Sequence, residues 1–294
     1  MIYTGAVMDA KFQPAMGAIR SGDVARFRAL VAQDPSLATS RSSTSHPTLL
    51  QCLVLDGKDV PHGREMAAIL IDAGAEIDAP LVAAGSIDNR DVAELLLDRG
   101  AALDGTGGWS PLEEALYWNS QHAIELFLER GAKVQNLRTA AGLGRTDLIE
   151  SFFNADGSLK PEAGRIDWPF GSLESIACSN HEPAGKRLLA DRVNSWSQDR
   201  QGIINNALVY ACMHGHVAAA ELLLAKGAEI NAIPGGFDYA GTGLHYAALN
   251  GRRAMVEFLL AHGADRTIKD TKVFSTPSGW AIHGGHPELC DLLR

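Results

Sequence analysis

Residues 242–264 read TGLHYAALNGRRAMVEFLLAHGA, and this stretch decides the fold. Apolar residues recur at helical spacing in two short runs, one rich in Ala and one ending in the triplet Phe258-Leu259-Leu260. Gly251 separates the runs, and Gly263-Ala264 follows the second one. A Gly directly after an apolar helical run is typical of a left-handed helix C-cap. The stretch therefore predicts two short helices joined by a tight turn.

The end of this pattern, an apolar triplet followed after two residues by Gly-Ala, recurs along the chain. Its glycines are Gly74, Gly100, Gly131, Gly227 and Gly263. Their spacings are 26, 31, 96 and 36 residues, and the gap of 96 residues is three periods of 32. Two degenerate repeats are expected in that gap, over 139–153 and 175–190, because both ranges carry helical apolar spacing. This period predicts about nine repeats.

The segment Thr242-Gly243-Leu244-His245-Tyr246-Ala247-Ala248 resembles the Thr-Pro-Leu-His-x-Ala-Ala motif of the ankyrin repeat, with Gly243 in place of Pro. The resemblance extends to Ser110-Pro111-Leu112, Thr276-Pro277, Gly215-His216 and residues 228–232. It is close over 64–135 and 203–294, and weaker over 15–40 and 136–202. The segment GWAIHGGH at 279–286 and the long C-terminal loops are similar to those of a group of bacterial ankyrin proteins.

The resemblance implies an all-α ankyrin-repeat solenoid of about nine helix-turn-helix repeats with short hairpin fingers. We expect a single array over residues 1–294. Its parts are an N-terminal repeat at about 15–40, degenerate repeats with an insertion over 136–202, and a C-terminal capping repeat over 276–294.

Composition excludes several classes of partner. The chain has 294 residues, of which 46% are hydrophobic, and a formal net charge of -9. That charge argues against nucleic acid and against an anionic membrane surface, since both require a positive face. No secretory signal and no apolar run of about 18 residues is visible. Four cysteines without a Cys-x-x-Cys pair favour reduced thiols in a cytoplasmic protein, with no disulfide and no metal site.

Candidate binding residues come from the loops and from the ankyrin resemblance. The fingers at 232–242 and 266–275 are long and carry Phe237, Asp238, Tyr239, Asp270, Lys272 and Phe274. They either cover the concave groove or pack on each other. The resemblance implies that the two residues before each inner turn face this groove, which selects Tyr117, Trp118, His214, Asn250 and His283. Trp109 is the third aromatic residue near Tyr117 and Trp118. Tyr246 and Trp280 lie one row earlier on their helices, three residues before the groove-facing pair, where core packing is the alternative.

Two histidines and two aspartates are the candidates for chemistry: His214, His283, Asp238 and Asp270. The resemblance accounts for His245 as the motif residue that forms hydrogen bonds between repeats, and for His216 and His286 at turns. This leaves His214 and His283. General acid/base catalysis would pair His214 with Asp238 or Asp270. A metal site would use the same carboxylates, but the sequence has no His-x-x-x-His or Cys-x-x-Cys spacing, so we expect no metal and no cofactor.

Two functions follow from these features. The first is a non-catalytic scaffold that binds a protein or peptide through the concave groove and finger loops. The second is a small-molecule binding protein or enzyme, with a pocket in the C-terminal half of the groove that the fingers cover. Its walls would be Trp118, His214, Tyr246, Asn250 and His283. Fold alone does not choose between them, because ankyrin arrays serve many roles.

Overall fold

Short α-helices joined by tight turns make up the fold. The computed structural model describes residues 10–42, 48–56, 60–106, 110–165 and 183–294. Within these ranges there are 17 α-helices, and extended backbone pairs only in the isolated bridges Arg41–Thr48 and Phe153–Leu159. The predicted all-α class is confirmed.

The chain divides into two compact units, residues 1–133 with 167–186 and residues 134–166 with 187–294. The helices of the first unit are α1 (Gln13–Ser21), α2 (Val24–Gln33), α3 (Ser36–Thr39), α4 (Leu49–Leu55), α5 (Gly63–Asp72), α6 (Asp78–Ser86), α7 (Arg90–Asp98), α8 (Pro111–Tyr117) and α9 (Gln121–Glu129).

The second unit contains α10 (Leu137–Gly142), α11 (Thr146–Ser151), most of α12 (Pro183–Ser195), α13 (Arg200–His214), α14 (Val217–Ala225), α15 (Gly243–Leu249), α16 (Arg253–Ala261) and α17 (Pro277–His283). Two 3-10 helices, Pro161–Gly164 and Pro287–Leu289, accompany them.

Most helices of each unit belong to one of two rows. In the first unit, α1, α4, α6 and α8 pack in succession as inner helices, and α2, α5, α7 and α9 pack as outer helices. In the second unit, the inner helices are α10, α13, α15 and α17, and the outer helices are α11, α14 and α16. Each inner helix with the helix that follows its turn forms one repeat, and the described residues contain eight such repeats.

Local sequence sets where the inner helices begin. Ser110 Oγ accepts a hydrogen bond from the Glu113 backbone N–H at 3.1 Å, and Pro111 occupies the first turn of α8. A side-chain acceptor and a Pro at these positions favour a helix start, because the first backbone N–H groups have no partner within the helix. Between the rows, fully buried small residues such as Ala115 and Ala247 allow close packing of helices.

Five outer helices end at a Gly with left-handed backbone, as predicted. Their φ angles lie between 86° and 97°, at Gly74, Gly100, Gly131, Gly227 and Gly263. A Cβ added at Gly131 would meet nothing within 4 Å, so the backbone conformation alone requires glycine there.

The turn inside every described repeat also contains a left-handed residue, at Gly22, His62, Asp88, Asn119, Gly144, Gly215, Gly251 and Gly285. Three of these positions are not glycine, and they carry residue types that tolerate this conformation. Asp88 adds contacts to the next repeat: its carboxylate lies 2.6 Å from His122 Nδ1 and accepts from the Ala123 N–H at 2.9 Å.

In the second unit, three of the turn glycines, Gly144, Gly215 and Gly251, each lie against a side chain of the following turn. A Cβ on Gly144 would lie 2.7 Å from the His216 ring, and one on Gly251 would lie 2.5 Å from the His286 ring. Gly215 is covered in the same way by Arg252. These contacts fix the register of successive repeats, because only a residue without a side chain leaves room for the covering group.

The expected pair of degenerate repeats has two different outcomes. The repeat over 139–153 corresponds to α10 and α11. Residues 175–182 of the second one lie outside the described residues. However, α10 contacts α13 and α11 contacts α14, so these two repeats stack directly on each other. The 32-residue period does not predict that these two repeats are neighbours, because it describes spacing along the chain and not the order of repeats in the stack.

Candidate functional site

Trp118 ends the inner helix α8 and is exposed at the surface of the first unit, with 38% of its area accessible. Its indole Nε1–H donates to Glu114 Oε1 at 2.7 Å, which holds the ring in one orientation. Tyr117 is buried and meets the Trp118 ring edge-on, with centroids 5.1 Å apart. Of this predicted aromatic group, Trp118 is available to a partner, Tyr117 is packed inside, and Trp109 lies outside the described residues.

Three of the predicted binding residues, Phe237, Tyr246 and Trp280, form an aromatic cluster inside the second unit. Phe237 lies 5.0 Å from Tyr246 between ring centroids, and Tyr246 lies 5.1 Å from Trp280. Tyr210 completes the cluster at 5.5 Å from Phe237. The structure therefore buries these rings and supports the core-packing alternative for Tyr246 and Trp280.

Asp270 is buried and forms the centre of the finger over 266–275. Its Oδ1 accepts from the backbone N–H groups of Lys272 and Val273 at 2.8 and 2.7 Å. Its Oδ2 accepts from the Ser275 N–H at 2.9 Å and from Trp280 Nε1 at 3.0 Å. Burial raises the pKa of Asp270, but these four bonds outweigh it and hold the pKa at about 2. Because both oxygens are occupied, the carboxylate acts here as a structural acceptor.

The two fingers of the second unit contact each other. The Thr271 N–H of one finger donates to the carbonyl oxygen of Ala240 on the other at 3.1 Å. The Tyr246 hydroxyl of α15 donates to the carbonyl oxygen of Tyr239, which joins the first finger to that helix. The outer residues of the fingers remain accessible, and we call them the finger surface: Tyr239, Arg266, Lys269, Lys272, Val273 and Phe274. The hydrophobic members are 57–71% exposed.

Asp238 is anchored to α12. Its Oδ1 lies 3.6 Å from Arg192 Nη1, and Arg192 Nε donates to the Gly236 carbonyl oxygen at 2.9 Å. The Arg192 guanidinium also lies 5.7 Å from the centre of the Trp196 ring. Sequence reasoning missed Arg192, since nothing in an Arg of a polar helix indicates that it donates to a finger carbonyl 44 residues later.

The histidine candidates lie in different environments. His214 is buried at the end of α13 and stacks on His216, with ring centroids 6.2 Å apart, whereas His283 is exposed at the end of α17. Asn250, predicted to line the groove, donates through Nδ2 to the Tyr246 carbonyl oxygen at 2.8 Å.

His245 has the structural role that the ankyrin motif implies. Its Nδ1 accepts from the Thr242 N–H at 3.1 Å, so Nε2 carries the proton and donates to the Ser275 carbonyl oxygen at 3.2 Å. Burial lowers the pKa of His245, and the hydrogen bond to Ser275 partly opposes this shift. His245 thus links α15 to the following finger as a neutral ring.

No group of three or more His, Cys, Asp or Glu side chains suited to a metal ion occurs among the described residues. A cavity in the second unit has a volume of about 10 Å³ and is lined by Arg138, Trp196, Ile203 and Asn206, among others. A cavity of this size holds about one water molecule and is far smaller than a typical ligand pocket. In the described part of the chain, no helix combines the length and the apolar character needed to cross a membrane.

Comparison with known proteins identifies one family. Residues 173–270 match the family model described as ankyrin repeats (3 copies). No curated protein matches the chain. The matched range contains α12 to α16, the whole finger over 232–242 and the finger over 266–275 as far as Asp270.

Proposed function

Because this chain is an ankyrin-repeat protein, we propose that it is a non-catalytic scaffold that binds a protein or peptide through its inner-helix ends and finger loops. Ankyrin repeats generally mediate protein–protein interactions. Among the described residues, Cys52, Cys212 and Cys290 form no disulfide bond, which fits the proposal that the chain acts in a reducing compartment such as the cytoplasm.

The observation that carries this proposal is where large hydrophobic side chains are exposed. Seven described residues of this kind are at the surface, and five of them lie at inner-helix ends or on the fingers: Trp118, Tyr239, Val273, Phe274 and Ile282. Exposed aromatic and aliphatic groups of this size are the usual anchors of protein interfaces. The remaining two are Leu128, on the outer helix α9, and Leu188, on α12.

The outer helices of the first unit present a different surface. Ion pairs connect successive outer helices, as between Arg28 and Glu65, with 3.1 Å from Nη2 to Oε1. Arg64 and Glu94 form a similar pair between α5 and α7 at 3.5 Å. Such exposed charge pairs are typical of a solvated face. The outer helices thus expose paired charges, whereas the inner-helix ends and the fingers expose large hydrophobic side chains. This difference supports binding through the inner-helix ends and fingers.

Peptide display against the purified chain tests the proposal without assuming a partner sequence. Peptides selected from a random library are measured for affinity to the wild type, to Trp118→Ala and to Leu128→Ala. These two positions belong to the same repeat, and both are exposed. We expect at least one family of selected peptides to lose about tenfold or more in affinity with Trp118→Ala and to be unaffected by Leu128→Ala.

A parallel set with Ile282→Ala examines the second unit. If every selected peptide binds these three variants and Tyr239→Ala as tightly as it binds the wild type, neither the inner-helix ends nor the fingers form the interface and the proposal fails.

A further inference from the structure

We propose that the finger surface binds an acidic peptide segment that carries an aromatic or large aliphatic side chain. This inference rests on the proposed function and deepens it, because it assigns a chemical class to the partner. It follows from three properties of the two fingers: the balance of charge, the exposed apolar groups and the fixed backbone.

The finger over 266–275 has uncompensated positive charge. Arg266, Lys269 and Lys272 are exposed, and none of them forms an ion pair with a residue that the structure describes. This differs from the outer helices of the first unit, where cations repeatedly face carboxylates. In a chain with a net charge of -9, such a local excess of cations favours an anionic partner at this place.

The acidic residues of the same fingers are engaged within the protein. Asp238 pairs with Arg192, and Asp270 accepts four hydrogen bonds. Asp265, directly before the second finger, accepts from the Thr267 N–H at 2.8 Å and from the Thr267 hydroxyl at 2.6 Å. These contacts leave the lysines and the arginine free to meet carboxylates of a partner.

Apolar groups stand beside the cations. Val273 is 61% and Phe274 is 71% exposed, and both directly follow Lys272. Phe274 has a φ of 55°, a left-handed conformation that is costly for an aromatic residue and that glycine would adopt without strain. A large ring kept both strained and exposed is best explained by contact with another molecule, since it contributes little to the interior.

The backbone that presents these groups is held in place before binding. The Asp270 carboxylate fixes the N–H groups of Lys272, Val273 and Ser275, and the Thr271 N–H is bonded to Ala240 on the neighbouring finger. A loop that is already ordered loses less conformational entropy when it binds. The arrangement therefore suits recognition of a short segment with defined positions for charge and for one apolar anchor.

A peptide fits this surface better than nucleic acid or a membrane. Three cations on one loop provide few phosphate contacts for a nucleic acid. The exposed Val273 and Phe274 match an apolar side chain, which a nucleic-acid backbone does not offer. The acidic peptide is therefore the occupant that both the charge and the apolar groups favour.

Fluorescence anisotropy with defined probes tests the inference on the full chain. The main probe is a labelled peptide with Asp and Glu on both sides of a Leu-Phe pair, and its matched probe has Lys at the acidic positions. A single-stranded DNA oligonucleotide and vesicles containing phosphatidylserine represent the other anionic partners. We expect the acidic peptide to bind most tightly and to weaken about tenfold when NaCl rises from about 50 to about 500 mM.

Variants locate the binding surface. Lys269→Gln/Lys272→Gln and, separately, Phe274→Gly should each weaken the acidic peptide about tenfold. Glycine suits the backbone at position 274, so the second variant keeps the finger folded. The matched control, Arg187→Gln/Arg253→Gln, removes the same charge from exposed helix positions and should leave the affinity unchanged.

The inference is overturned if the lysine peptide binds as well as the acidic one, if DNA or vesicles bind more tightly, or if both finger variants behave like the control. Absence of binding by the acidic peptide also overturns it. Each of these results leaves the proposed function standing as long as display-selected peptides depend on Trp118 or Ile282, so the two failures are distinguishable.

Discussion

The hydrogen bonds to Asp270 predict a specific loss of stability. We expect Asp270→Asn to destabilise the second unit by about 2 kcal/mol at pH 7, because the folded protein holds the pKa of this carboxyl at about 2 instead of 3.8 and one pKa unit corresponds to about 1.4 kcal/mol. Asn keeps one acceptor oxygen for Lys272 and Val273. Its amide group, however, points N–H donors at the donors of Ser275 and Trp280.

The sign of the pH dependence follows from the direction of the shift. A carboxyl whose pKa is lowered by folding contributes its full stabilisation above its unfolded pKa, and loses it as the pH falls toward the folded value. The difference between wild type and Asp270→Asn should therefore be constant above about pH 4 and shrink between pH 4 and pH 2.

Urea unfolding, followed by tryptophan fluorescence and far-UV circular dichroism at several pH values, measures this difference. Asp147→Asn is the control, since Asp147 is an exposed carboxylate paired with Arg145 in the same unit, and solvent screening makes its expected effect far smaller. The reasoning is refuted if Asp270→Asn costs no more than Asp147→Asn at pH 7, or if the cost stays the same down to pH 2.

Further predictions concern glycines and thiols. Gly131→Ala should cost about 1 kcal/mol, because only its left-handed backbone opposes a side chain. Gly251→Ala should cost more, about 3 kcal/mol, because the new Cβ also meets the His286 ring. Adding His286→Ala should recover part of this loss of stability. Equal shifts in melting temperature for the two glycine variants would contradict this prediction. Alkylation of the native protein, mapped by peptide mass spectrometry, should label the partly exposed Cys290 well before Cys52, since burial raises the pKa of the Cys52 thiol to about 12; equal labelling of the two would contradict this.

The helices and their ends were predictable because their signals are local. A triplet followed by Gly-Ala, as at Phe258 to Ala264, reports helix spacing and a C-cap within a few residues, and the structure confirms both. The left-handed turns at Asp88 and Asn119 were missed, because a search for glycine overlooks other residues that accept this conformation.

The sequence did not predict which finger side chains are buried, because residues far away in the chain determine their burial. Phe237, Tyr239 and Asp270 look equivalent as polar or aromatic loop residues. The structure buries Phe237 between two tyrosines and Asp270 beside Trp280, and leaves Tyr239 exposed. These outcomes depend on contacts between loops and helices that no local pattern encodes.

The covering of Gly144, Gly215 and Gly251 by side chains of the following turn has a consequence for how such a chain can be recombined. The contact joins the glycine of one repeat to the residue after the glycine of the next, as Gly215 is joined to Arg252. A single repeat excised at its helix boundaries therefore keeps only one partner of each contact. It keeps its own glycine without the side chain that covers it, and its own covering side chain without the glycine below it. A transplanted or duplicated repeat restores both contacts only if it meets two conditions. Its turn must contain a glycine for the side chain of the next repeat, and the residue after that glycine must fit against the turn glycine of the preceding repeat.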